Sequence, residues 1–127
     1  MEITFPGGVA VSASFNGYTV NTDQSKAAGG DGSAPSPFDL FLASLGTCAG
    51  FFALRFCQQR QIDTAGLSLS LNAERDPQRH RLSKVSMTLH LPEGFPEKYH
   101  TAILKATDRC AVKRAIEDPP EFSVQVD

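Results

Sequence analysis

The 127-residue sequence lacks an excess of basic charge: 12 Lys and Arg stand against 14 Asp and Glu, for a formal net charge of −2. Binding along a phosphate backbone calls for a basic stripe, so nucleic acid is excluded as the expected partner. The N-terminus, Met-Glu-Ile-Thr-Phe-Pro, has neither a basic region nor a long apolar run, and no secretion signal is expected. The one strongly apolar segment, residues 36–61, contains Asp39, Arg55 and two glycines, which argues against a membrane span. Cysteine is scarce and odd in number (Cys48, Cys57 and Cys110), and there is no CxxC. That count argues against the disulfide framework of a secreted scaffold and makes a reducing, cytoplasmic setting the expectation. His80, His90 and His100 recur ten residues apart without a pair at i, i+3 or i+4, so neither a metal nor a cofactor is expected.

What is present suffices for a single domain over 1–127, a length that buries roughly two-thirds of the surface of the unfolded chain. Ile3 to Phe5, Val9 to Phe15 with Val9/Val11/Ala13/Phe15 alternating, and Tyr18 to Thr22 after the hairpin pair Asn16-Gly17 predict a β-meander. From Asp23 to Pro35 periodicity disappears among Gly, Ala, Ser, Asp and Lys. This stretch reads as a mobile connector, with a flap over a pocket as the sharper alternative. Ser36-Pro37 then supplies an N-cap and a first-turn proline for a helix running to Gln61. That helix is apolar nearly all round, which means burial in a core or an interface. Leu67/Leu69/Leu71/Ala73 and Val85/Met87/Leu89/Leu91 predict an antiparallel hairpin over 66–91. A helix follows from Pro96, a shorter one from Cys110, and a closing strand carries Phe122, Val124 and Val126. The predicted class is α+β in the order βββ-α-ββ-αα-β.

Cys48 lies at about 280° on the helical wheel and Cys57 at about 100°, so on a continuous helix the two cannot bridge. Cys57 is most simply a small buried hydrophobe. Cys48 sits between Gly46 and Gly50, each costing about 1 kcal/mol relative to alanine, which suggests close approach of another backbone or a ligand. Cys110 stands at a helix junction, where free N–H groups and Lys113 or Arg114 could favour a thiolate. These observations leave open both a functional Cys48/Cys110 pair and inert thiols.

The run Ser36-Pro-Phe-Asp-Leu-Phe-Leu-Ala-Ser-Leu-Gly-Thr-Cys48, followed about sixty residues later by Cys110-Ala-Val, resembles the OsmC/Ohr family of osmotically induced and organic-hydroperoxide-resistance proteins. The resemblance implies an intertwined homodimer with central buried helices wrapped by antiparallel sheets. It also implies a thiol peroxidase in which Cys48 attacks an organic hydroperoxide, Cys110 resolves the sulfenic acid as a disulfide, and an external thiol reduces the pair. Phe38, Phe41, Phe51 and Phe52 are the implied apolar pocket. A redox-sensing or small apolar ligand-binding module on the same fold is the alternative. The chain departs from the family pattern in three ways and reads as a divergent branch. No arginine precedes Arg55, which leaves Lys26 as the upstream cation and Arg114 as a further candidate. Asp39 is nine residues before Cys48, and Ala111 stands where proline is usual.

Overall fold

The computed structural model describes residues 1–126 as β1 (Glu2–Gly7), β2 (Ala10–Phe15), β3 (Tyr18–Thr22), α1 (Pro37–Gln59), β4 (Ser68–Asp76), β5 (Arg81–His90), α2 (His100–Thr107) and α3 (Ala111–Glu117). These residues divide into two compact units, Met1–Ala43 and the chain from Ser44 onward.

In the first unit the three strands form an antiparallel sheet in the order β1-β2-β3. Asn16 and Gly17 take positive φ values of 49° and 79°, the geometry that lets a two-residue turn follow the twist of its strands. The register that follows pairs Ala13 with Val20 and Phe15 with Tyr18. Much of the apolar surface of this sheet is uncovered within the chain, including Ile3, Phe5, Val9 and Tyr18.

The glycine-rich segment after β3 is a folded loop gathered around one carboxylate. Asp23 is buried, and its Oδ1 accepts the N–H of Gln24 at 2.8 Å. Its Oδ2 accepts the N–H groups of Asp31 (3.1 Å) and Ser33 (3.0 Å) and the Ser33 hydroxyl (2.8 Å). Gly30 lies against this hub, where a Cβ would collide with the Gln24 carbonyl and stand 2.8 Å from Asp23 Oδ1. The loose connector expected from composition is therefore a hydrogen-bonded loop, and composition hid this because one buried acid supplies the order.

The donors, led by the Ser33 N–H and hydroxyl and then the Gln24 N–H, lower the Asp23 pKa from 3.8 to about 2 against the opposing effect of burial. Because the folded-state value is depressed, the stabilisation is complete above the unfolded value and is lost as the pH falls through the folded one. The gap between the urea midpoints of the wild type and Asp23→Asn should therefore narrow on acidification from about pH 4 to about pH 2. A gap independent of pH would show that the carboxylate charge plays no part.

α1 opens with a reciprocal cap. The Asp39 N–H donates to Ser36 Oγ at 3.1 Å, while Asp39 Oδ2 accepts the Ser36 N–H at 2.9 Å and the Ser36 hydroxyl at 2.7 Å. Asp39 is thus placed at the start of the helix rather than beside a thiol. Among the described residues α1 is the one helix whose length and composition would allow a membrane crossing.

In the second unit α1 buries Leu45, Ala49, Ala53, Phe56 and Cys57 along one stripe. Ala53, Phe56 and Cys57 join Ile103 of α2 in the core, with Leu89 and Leu91 packed against them. The opposite side of α1 stays uncovered, and Phe51 is 54% exposed. Among the described residues no other backbone comes close to either glycine near Cys48. A Cβ on Gly46 would meet only the side chains of Leu71 and Leu69, at 3.7 and 4.0 Å, and one on Gly50 would meet nothing within 4 Å.

β4 and β5 pair antiparallel with Leu69 opposite Leu89, Leu71 opposite Met87 and Ala73 opposite Val85. One face of this hairpin therefore collects the apolar side chains, as the alternation predicted. The helix expected from Pro96 begins as a single 3-10 turn, Glu97–Tyr99, and continues as α2. The closing strand expected around Phe122–Val126 is absent among the described residues. Phe122, Val124 and Val126 are 87, 96 and 99% exposed. A strand exists only with a ladder partner, and an alternating pattern does not say which chain supplies it.

Candidate active site: a pair of thiols at the start of a helix

Cys48 is half-buried midway along α1, and Cys110 is buried at the N-cap of α3. Cys110 ends the turn after α2 with φ −49° and ψ 118°, a non-helical conformation that suits a cap. Its sulfur accepts the Lys113 N–H at 3.4 Å, and its thiol donates weakly to the Leu45 carbonyl of α1 at 3.9 Å. A sulfur thus occupies the place more often held by a serine or aspartate oxygen.

The two thiols act on each other's acidity, and their pKa values move in opposite directions. At Cys48, burial opposes the thiolate but is outweighed by the Val112 N–H, the Cys110 thiol and the Ala111 N–H, so the pKa falls below the ordinary thiol value. At Cys110, burial raises the pKa. The Cys48 contact and its charge raise it further, and the Lys113 and Val112 N–H groups only partly offset this. The Cys48 proton is therefore the first of the two to be lost, and Cys110 keeps its own to higher pH.

The donors to Cys48 are backbone groups in the first turn of α3, where unsatisfied N–H groups and the helix dipole favour an anion. Lys113, the nearest cation in sequence, is engaged elsewhere, with its ammonium between Asp108 and Glu117. That arrangement, led by the Asp108 hydrogen bond, raises the Lys113 pKa.

Residues 30–125 match the family model described as OsmC-like protein. The chain belongs to the OsmC-like family. Solved structures agree on the fold. A protein of Psychrobacter arcticus 273-4, described as an osmotic stress induced and detoxification response protein, is 22% identical. The match covers 90% of this chain and 85% of that one, with a TM-score of 0.78. An OsmC-like protein of Mycoplasma pneumoniae is 16% identical over 87% of this chain and 80% of its own, with a TM-score of 0.65. An organic hydroperoxide resistance protein OsmC of Legionella pneumophila is 19% identical over 89% and 90%, with a TM-score of 0.50. No curated protein sequence matches the chain. The α+β architecture is thus the OsmC-like fold.

Of the side chains singled out from the OsmC-like sequence pattern, Cys48 and Cys110 are brought together. Arg114 is exposed on α3 and is not one of the groups acting on the Cys48 thiol. Lys26 lies in a 3-10 turn of the first unit, Lys26–Ala28. The four phenylalanines form two ring pairs: Phe38 with Phe41 in the first unit, and Phe51 with Phe52 in the second, each with centroids 5.4 Å apart. Not legible in the sequence was a cavity of about 260 Å³ beside Cys110, with Leu69, Val85, Met87, Leu89 and Leu104 on one part of its wall and Thr107, Asp108 and Lys113 on another. The free N–H groups of the helix junction do act on Cys110, through Lys113 and Val112, but those of Val112 and Ala111 also lower the pKa of Cys48, which the sequence did not indicate.

Proposed function

We propose that this OsmC-like protein is a thiol-dependent peroxidase for organic hydroperoxides. The observation that carries the reading is Cys110 capping α3 against the Leu45 carbonyl of the helix that bears Cys48, where the two thiols and the first N–H groups of α3 lower the Cys48 pKa and leave that of Cys110 raised. The Cys48 thiolate attacks the terminal oxygen of the hydroperoxide. An S–O bond forms, the O–O bond breaks, and the alkoxide leaves to take up a proton as the alcohol. Cys110 then attacks the sulfenic sulfur. An S–S bond forms, the S–O bond breaks, and water departs with the Cys110 proton. An external dithiol supplies two electrons and two protons to restore both thiols. The apolar side chains around the cavity beside Cys110 favour an organic substrate over hydrogen peroxide.

The working form is a homodimer in a reducing, cytoplasmic compartment. Exposed apolar side chains on the β1–β3 sheet (Ile3, Phe5, Tyr18) and in the C-terminal segment (Phe122, Val124, Val126) support this, since a partner subunit would cover them. The reduced protein, mixed with cumene hydroperoxide and dihydrolipoate, should consume the peroxide catalytically. Without the dithiol it should consume one equivalent and yield a Cys48–Cys110 disulfide, identified by mass spectrometry of the digest. A reversible disulfide without turnover would instead indicate a redox-sensing or ligand-binding module.

A further inference from the structure

We propose that the cleft between α1 and α2 is a second binding site, separate from the thiol pair, for an organic anion with an apolar body. The cleft has a volume of about 630 Å³, within the range of small-molecule sites. Its wall combines the rings of Phe51 and Phe52 with four cations, Arg55, Arg60, Lys105 and Arg109, and no carboxylate. None of the four forms a salt bridge among the described residues, where the ion pairs use Arg79, Lys84 and Lys113 instead. In a chain with more acids than bases, four unneutralised cations around one hollow are a local positive field rather than a reflection of overall charge. Lys105 stands in the last turn of α2 and Arg109 in the turn that follows it, so two of the four charges come from one end of that helix.

The arginines are already oriented. The guanidinium of Arg60 lies 3.7 Å over the Phe56 ring and donates to the Phe56 carbonyl at 3.3 Å. Arg55 donates to Gln58 Oε1 at 3.2 Å. Holding these two heads in place lowers the ordering cost of recognising a carboxylate or phosphate, while the rings take up an alkyl or aryl portion. The volume and the number of charges suit a small amphipathic anion and not a nucleic acid, whose footprint is far larger. Neither Cys48 nor Cys110 lines the cleft, so the site does not depend on the peroxidase reading.

Calorimetric titration of the full chain with octanoate, octyl phosphate and 1-octanol tests the site. At least one of the two anions should bind once per chain and about ten-fold or more tighter than the alcohol, and added salt should weaken the anion alone. Whichever anion binds better identifies the head group as carboxylate or phosphate. The exposed double substitution Lys105→Gln/Arg109→Gln should lower anion affinity about ten-fold or more, with an unchanged circular dichroism spectrum. Cys48→Ser, which addresses the peroxidase reading separately, should bind as the wild type does. Equal binding of octanol and the anions, insensitivity to the double substitution, or no binding by either anion would overturn the proposal. The last result, together with a dimer equilibrium shifted by the double substitution in sedimentation, would assign the cleft to subunit contact.

Discussion

Cys48→Ser should abolish hydroperoxide reduction, with a fall in rate on the order of a thousand-fold or more, because a serine hydroxyl stays protonated where a thiol ionises. Cys110→Ser should behave differently. It should still reduce one equivalent of peroxide and then accumulate the Cys48 sulfenic acid, trapped by dimedone, because no resolving thiol lies in contact. Wild-type turnover in Cys48→Ser would remove that residue from the chemistry. The pH profile adds a check that loss of folding cannot imitate. Hydrogen bonds to the charged form lower the Cys48 pKa, so its alkylation rate should level off at a lower pH than that of an ordinary thiol. Cys110→Ala removes one donor and should move that plateau upward without abolishing it, since the Val112 and Ala111 N–H groups remain.

The second large effect concerns stability. Gly30→Ala should destabilise the protein by about 2–3 kcal/mol, the scale of an overpacked site that cannot relax cheaply. The obstacle is the backbone carbonyl of Gln24, not the end of a flexible side chain, and the neighbouring Asp23 carboxylate is fixed by its donors. Relief requires opening the loop and giving up those hydrogen bonds. A loss below about 0.5 kcal/mol in urea titration would mean that the loop is not closed in this way in solution.

Much of the fold could be read from local signals. The Asn16-Gly17 pair marked the β2–β3 hairpin, the 2-residue alternation marked β4 and β5, and Ser36-Pro37 marked the start of α1 within a residue. What escaped depended on single contacts at a distance. Asp39 belongs to the spacing Ser36-x-x-Asp39, a reciprocal cap, whereas the family pattern draws attention to it as a supporting acid although it stands nine residues before Cys48. The order in the 23–35 loop rests on one buried aspartate, which composition cannot distinguish from an exposed one. The site was legible as two cysteines but not as an electrostatic device. A search for a cation near Cys48 looks for side chains, whereas the groups that lower its pKa include two peptide N–H groups, of Val112 and Ala111, and those carry no residue signature. The closing strand failed for a different reason, because its pattern is sound but its pairing partner is not specified by pattern.

The sulfur cap of α3 ties the electron count of the thiol pair to the order of a seven-residue helix. While reduced, Cys110 accepts the Lys113 N–H and closes the first turn. In a disulfide that sulfur is committed to a bond with fixed geometry and serves the turn less well. By linkage, any contact that tightens α3 draws the couple toward the dithiol, and any contact that loosens it draws the couple toward the disulfide. Under the proposed cycle, the potential of the pair is therefore set by peptide groups as well as by its two sulfurs.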